Sequence, residues 1–231
     1  MSNLSKANGE QVAVPVEGAD NESSQWHFIL ASGSPRRRQL IKNLHLSFDV
    51  VTSEIEEIVD ERLTPGEVVL DLARQKAQDV WNKTVARRCD EDDRRLLILG
   101  ADTLVALDGA LLGKPKDRQD AARVLRNLSG RRHEVYTGVV LLIETAGGQC
   151  KELAQSQVSH VYFRDLQENE ILAYSQLDEP MDKAGSYALQ GTASAFVERV
   201  EGCYSNIIGL PVPLVVSLLR QAGVQILGCG A

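Results

Sequence analysis

Four shortages in this 231-residue chain each exclude a class of protein. Cysteine is scarce: Cys89, Cys150, Cys203 and Cys229 lie far apart without paired spacing, which indicates neither a zinc site nor a disulfide framework and fits reduced thiols in a cytoplasmic protein. Positive charge is in deficit, 25 Lys and Arg against 32 Asp and Glu for a net charge of −7, and this argues against a sequence-independent grip on a nucleic-acid polymer. No apolar run approaches the length that spans a bilayer, and residues 1–25 have neither the basic start nor the apolar core of a signal peptide. Histidine is limited to His27, His45, His133 and His160, too scattered to suggest a metal-ligand set. Internal repeats and low-complexity runs are also missing.

What is present suffices for a core, since 43% of the residues are hydrophobic. The opening "MSNLSKANGEQVAVPVEGADNESSQ" is rich in Ser, Asn, Gly and Glu and reads as a flexible tail, residues 1–25, before a single domain at 26–231.

In "ILASGSPRRRQLI" an apolar run, Phe28 to Ala31, predicts a short buried strand, and Ser34-Pro35 predicts a helix start with Ser34 as N-cap. The free N–H groups of that turn, the helix dipole and the forks of Arg36 and Arg37 favour an anion, most simply a phosphate chain; a capped helix with a solvated basic face reads equally well. Arg38 is expected on the solvated side. A strand at Phe48 to Val51 leads into an acidic loop. Pro65 then opens a long helix through about Arg88, whose Val68, Val69, Leu72, Ala73, Lys76, Ala77 and Val80 share one face. Lys76 on that stripe is either a core-edge stem with its amine in water or a site residue.

"RRLLILGADTLVALDGALLGKP" predicts a buried strand at Leu96 to Leu99, with Asp102 and Thr103 following at its carboxyl end and Leu104 to Leu107 resuming extended structure before an Asp108-Gly109 turn. An aspartate in that apolar setting is a metal ligand or general base, or else it caps a turn. Lys114 in "GKP" is placed to aim its amine at a phosphate, although the glycine spacing is not that of a Walker motif. A helix at about 117–128 follows, then strands in "HEVYTGVVLLIE", "VSHVYFRDL" and "AFVERVEG", a helix at about 167–175, and a last apolar helix at about 211–222. Asp182 and Lys183 in "EPMDKAGSYALQG" either pair with each other or complete a site.

Taken together, "LASGSPRRRQLI", "GADTLV", "GKP", "LSGRRHEVYTGV", "EPMDKAGSYALQG" and "EGCYSNIIGLPVPLV", in that order from about residue 28 to 220, resemble the Maf family of nucleoside triphosphate pyrophosphatases. The resemblance implies an α/β fold, an elongated two-lobed mixed sheet flanked by helices with a central cleft, related to the inosine triphosphate pyrophosphatases. It implies hydrolysis of a nucleoside triphosphate to the monophosphate and pyrophosphate, a divalent cation (Mg²⁺ or Mn²⁺), a cytoplasmic location and a homodimer. Asp102 matches the family's proton acceptor and Glu57 of "EIEE" matches a metal-holding acid; as carboxylates, Asp102 and Glu57 would hold the cation together. Lys76 and Lys114 match cleft lysines, and Ser34, Arg36, Arg37, Asp182 and Lys183 fall in the substrate-binding motifs. The residue before Glu57 departs from the family's frequent Asp, being Glu56.

The resemblance further implies a pyrimidine preference, for dTTP and UTP, from Arg36, Thr103 and Gln190, where the branch acting on 7-methyl-GTP carries an aromatic, Gln and Glu. A glutamine amide donates and accepts, matching the carbonyls and N3–H of uracil or thymine, and such a pocket also admits C5-modified pyrimidines. A different class stays open at this point: a nucleotide-binding regulator of cell division, acting on septum formation with little turnover. Retention of Glu57, Lys76, Asp102 and Lys114 favours catalysis.

Overall fold

The computed structural model describes residues 25–60, 62–88 and 93–226; the tail expected at the amino end, Cys89 and Cys229 lie outside them. Cys150 and Cys203 are free thiols, as their spacing predicts. Seven strands form one mixed sheet: β1 (Trp26–Leu30), β2 (Asp49–Val50), β3 (Arg95–Leu107), β4 (Ala110–Leu112), β5 (Arg132–Glu144), β6 (Cys150–Phe163) and β7 (Val197–Glu201). Their order is β2-β1-β3-β5-β6-β7, with β4 paired to β3; β1 runs parallel to β2 and β3, and the other pairings are antiparallel. Among the described residues six α-helices flank it, besides two short 3-10 turns: α1 (Pro35–Lys42), α2 (Pro65–Arg87), α3 (Arg118–Leu128), α4 (Glu168–Ser175), α5 (Tyr204–Ile208) and α6 (Val212–Gln221). Among the described residues no helix is long and apolar enough to cross a membrane.

Alternation along β3 sorts its side chains. Leu96 and Ile98 pack with Ala73, Ala77, Val80 and Trp81 of α2 on one face. On the other face Leu97, Leu99 and Ala101 join a core with Ile41 of α1 and Leu214 and Leu218 of α6, whereas Val105 and Leu107 join a second core with Leu125 and Leu128 of α3 and Ile171 of α4. Thr103 stands between these two cores, and their separation makes the two lobes. Both lobes share the same long strands, β3 and β5.

Helix starts follow local chemistry. Ser34 caps α1 by accepting from the Arg37 N–H, Thr64 and Glu67 form a capping box before Pro65 of α2, and Asp117 caps α3 through the Asp120 N–H. Asp108 and Gly109, both at positive φ, form the two-residue turn of the β3–β4 hairpin.

Three expectations need correction. The strand expected to stop at Leu99 instead continues unbroken to Leu107, so Asp102 lies inside β3 rather than after it. Gly100-Ala101-Asp102 is no breaker there, because Gly100 lets α2 approach: a Cβ at Gly100 would lie 2.4 Å from the Ala73 carbonyl oxygen. The strand expected from Val158 begins eight residues earlier, at Cys150; the stretch to Gln157 is mostly exposed and polar, and antiparallel pairing with the apolar β5, not its own hydrophobicity, makes it extended. The strand expected at Phe48 to Val51 is reduced to Asp49–Val50, an edge pairing of two residues.

Candidate active site

On the edge of β3, the parallel ladder with β1 ends at Leu99 and the hairpin with β4 begins at Val105. Residues 100–104 thus have no strand partner on that edge, and a cavity of about 800 Å³ opens against it. This is the carboxyl end of β1, where open α/β sheets place ligands. Because the edge is bare, side chains from both faces of β3 reach the cavity: Asp102 from the α2 face, Thr103 from the other.

The approach of α2 sets the first group. A Cβ on Gly138, directly opposite Asp102 on β5, would fall 2.2 Å from the Val69 carbonyl oxygen, so glycines at 100 and 138 let the helix lie close on either side of Asp102. Lys76 is thereby delivered to the carboxylate, Nζ to Asp102 Oδ1 at 2.5 Å, and the same amine lies 2.9 Å from Glu57 Oε1. The Lys76 and Asp102 side chains are 15% and 10% exposed, so neither charge is well solvated and each needs the other.

The second group is built around Arg37. Its Nε donates to the Gly209 carbonyl at 2.7 Å, Nη2 to Thr103 Oγ1 at 3.0 Å and Nη1 to Ser32 Oγ at 3.3 Å. All three acceptors are uncharged, and no carboxylate pairs with this guanidinium among the described residues. Burial lowers the Arg37 pKa from its ordinary value, and the charge of nearby Asp102 opposes that shift. A guanidinium so placed keeps an unmet attraction for an anion. Thr103 Oγ1 also lies 2.9 Å from Thr137 Oγ1, whose hydroxyl donates to the Asn206 carbonyl at 3.2 Å.

The third wall is residues 179–191. Lys183 and Asp182 bond to each other, which is the pairing alternative, and both also line the cavity. Burial raises the Asp182 pKa, but the bond from Lys183 and the charges of Lys183 and Arg36 outweigh it, so the net shift is downward. Gln190, Lys114 and Arg36 line the cavity, and their side chains make no hydrogen bond among the described residues. Arg38 is exposed, as expected. Ser34 lines the cavity while its hydroxyl caps α1. All eleven candidate residues therefore border one cavity, and none of the four histidines does.

Sequence reasoning missed several supporting groups. Glu179 accepts from the Thr192 N–H at 3.1 Å, the Ala193 N–H at 3.4 Å and the Tyr174 hydroxyl at 2.8 Å, tying down the backbone just past Gln190. Burial raises its pKa and these bonds lower it further than burial raises it. Tyr187 lines the cavity and bonds His133 Nε2 at 2.8 Å; burial alone drives the His133 pKa down to about 3. Gly209, at φ 121°, turns its carbonyl to Arg37 and Thr103. The only signal for it was "NIIGLP", where glycine before Leu-Pro marks a helix end without naming a partner.

A family model described as "Maf-like protein" matches residues 27–222. The chain is similar to a protein named dTTP/UTP pyrophosphatase from Acetivibrio thermocellus, 44% identical over 199 residues that cover 86% of this chain and 96% of that one. A protein of the same name from Bdellovibrio bacteriovorus is 45% identical over 193 residues, covering 84% and 97%. Among solved structures, a HAM1 protein from Coxiella burnetii aligns over 85% of this chain and 99% of its own at 16% identity, with a TM-score of 0.49. With six ordered motifs folded around one cavity and a family model spanning nearly all the described residues, the chain belongs to the Maf family.

Proposed function

We propose that this protein hydrolyses dTTP and UTP to the nucleoside monophosphate and pyrophosphate, as the relatives' names suggest and as the cavity's chemistry supports. The observation that carries the reading is one cavity in which the carboxylates Asp102 and Glu57 meet Lys76, while Arg37 makes no salt bridge among the described residues. Its volume is within the usual range for small-ligand sites.

A divalent cation is compatible with these residues. Among the described residues no group of three or more His, Cys, Asp or Glu could cage a metal. Mg²⁺, however, commonly binds through one or two carboxylates plus substrate phosphates and waters. Asp102 and Glu57 supply that donor set, since each has an oxygen within 3 Å of the Lys76 nitrogen and one cation already sits between them. When bound, Mg²⁺ or Mn²⁺ neutralises charge on the phosphate oxygens and makes a bound water more acidic.

The remaining work falls to the chain's own side chains. Asp102 accepts the proton of the attacking water as oxygen adds to the α-phosphorus and the bond to the β-phosphate oxygen breaks. Lys76 turns its amine from the carboxylates to a phosphate oxygen, and Arg37, Lys114 and the first-turn N–H groups of α1 after Ser34 hold the rest of the chain. Lys183, with Asp182 orienting it, closes the phosphate side. Gln190 reads the pyrimidine edge by donating and accepting, beside Arg36, and Thr103 acts on selection through Arg37 rather than by touching the base. The site tolerates C5-modified pyrimidine nucleotides, which suits a house-cleaning enzyme. The proposal extends to a cytoplasmic homodimer acting on free nucleotides, with neither a nucleic-acid polymer nor a membrane as partner.

The test is a panel of dTTP, UTP, CTP, GTP, 7-methyl-GTP and ITP with Mg²⁺, scored for pyrophosphate separately from phosphate. Pyrophosphate from dTTP and UTP, lost in Asp102→Asn, is expected. Tight binding without turnover would instead favour the cell-division regulator.

A further inference from the structure

Glu57 belongs to a stretch without regular structure, residues 51–60, and its side chain is 47% exposed. Burial does little to anchor this stretch near Glu57: Ile58 is 72% exposed and Val59 47%. Polar ties to α2 must therefore fix where Glu57 stands.

Two ties flank the carboxylate. One is the ion pair with Lys76. The other comes from Gln75, the preceding residue on α2: its Oε1 accepts from the Ile58 N–H at 3.2 Å and its Nε2 donates to the Ile58 carbonyl at 2.9 Å. A single amide thus closes on both backbone groups of the residue after Glu57. Asp71, one turn earlier on α2, accepts from the same Nε2 at 2.7 Å, and because a carboxylate only accepts, it fixes which end of the amide is the donor.

The two ties fare differently during turnover. Glu57 would hold a metal cation, and Lys76 a phosphate oxygen, only with the ion pair between them broken. The Gln75 amide is uncharged, touches neither, and persists. We propose that Gln75 is the positioning residue that holds Glu57 for the metal after Lys76 lets go; this rests on Glu57 being a metal-holding carboxylate. Removing an outer partner of a metal ligand typically weakens binding about 10–100-fold, and a tie through the adjacent backbone belongs at the lower end.

The experiment compares wild type, Gln75→Leu and Glu57→Gln, measuring Mn²⁺ affinity by electron paramagnetic resonance with a non-hydrolysable α,β-methylene dTTP analogue, the Mn²⁺ midpoint for dTTP turnover, and thermal unfolding. Gln75→Leu is expected to weaken Mn²⁺ binding about tenfold, to recover kcat within about twofold at saturating Mn²⁺, and to melt within a few degrees of wild type. Wild-type Mn²⁺ affinity in Gln75→Leu, with weakened affinity in Glu57→Gln, overturns the role of Gln75 and leaves that of Glu57 standing. Wild-type affinity in Glu57→Gln overturns both. A loss of kcat in Gln75→Leu that saturating Mn²⁺ does not restore, at unchanged affinity, overturns positioning in favour of a structural role.

Discussion

The Thr103 hydroxyl, in mid-strand, accepts a hydrogen bond at 3.0 Å from Arg37 Nη2 on α1, and so couples the bare edge of the sheet to the one cavity guanidinium with three neutral partners. Thr103→Val keeps the shape and removes the acceptor. Bonds to charged donors contribute about 1.5–3 kcal/mol, so kcat/KM for dTTP is expected to fall about tenfold or more, mainly through KM. Steady-state kinetics on dTTP and UTP check this; an unchanged KM would mean that Arg37 does not hold substrate.

Asp102→Asn removes the proposed proton acceptor while keeping an oxygen for Lys76. Turnover is expected to drop by about 10²–10⁴-fold, with binding of the α,β-methylene dTTP analogue in the absence of metal nearly intact. Pyrophosphate release and calorimetric titration are the measurements. Residual activity near wild type would move the base elsewhere.

Gly138 carries a purely steric constraint, because its φ is unexceptional and the obstacle is the Val69 carbonyl. Gly138→Ala is expected to push α2 off the sheet, destabilising by about 1–3 kcal/mol and lowering activity well below the melting temperature as Lys76 withdraws from Asp102. Urea unfolding and kinetics on one sample separate the two effects.

His133 titrates differently folded and unfolded: about 3 in the protein, against an ordinary value near 6.5. Below about pH 6.5 the unfolded chain takes up a proton that the buried ring refuses, so this group removes stability as pH falls from about 6.5 toward 3 and contributes no slope above that window. Relative to His133→Gln, wild type is expected to lose up to about 1.4 kcal/mol per pH unit between pH 6 and pH 5. Urea melts at pH 7.5, 6 and 5 test the sign; parallel curves would refute it.

Much of the site was legible because its chemistry and its local geometry coincide in short motifs. Ser34-Pro35 dictates a helix start by itself, and Asp102 inside an apolar run demands a partner wherever the strand ends. Other features depend on pairing between distant segments. Nothing in "GADTLV" says that β3 continues past Asp102; that follows from Gly138 on β5 and the small Ala73 and Ala77 on α2. The polar start of β6 at Cys150 has no extended preference of its own and is recruited by β5. The role of Glu179 is not legible in its motif, because the N–H groups that donate to it, those of Thr192 and Ala193, become its neighbours only when the loop folds back.

Leu97 to Ala106 of β3 pair residue by residue with Glu134 to Ile143 of β5, and this ladder passes without a break from one core to the other. Swinging the lobes together like a clam would shear ten consecutive pairs. The jaw is therefore fixed, and what can change at the cavity is its lips: residues 51–60, tied to α2 through Gln75, and residues 179–191, fastened through Glu179. Loops of that size typically move on nanosecond to microsecond scales, faster than domain hinges, so any opening of the cavity falls to those two segments rather than to bending of the body between them.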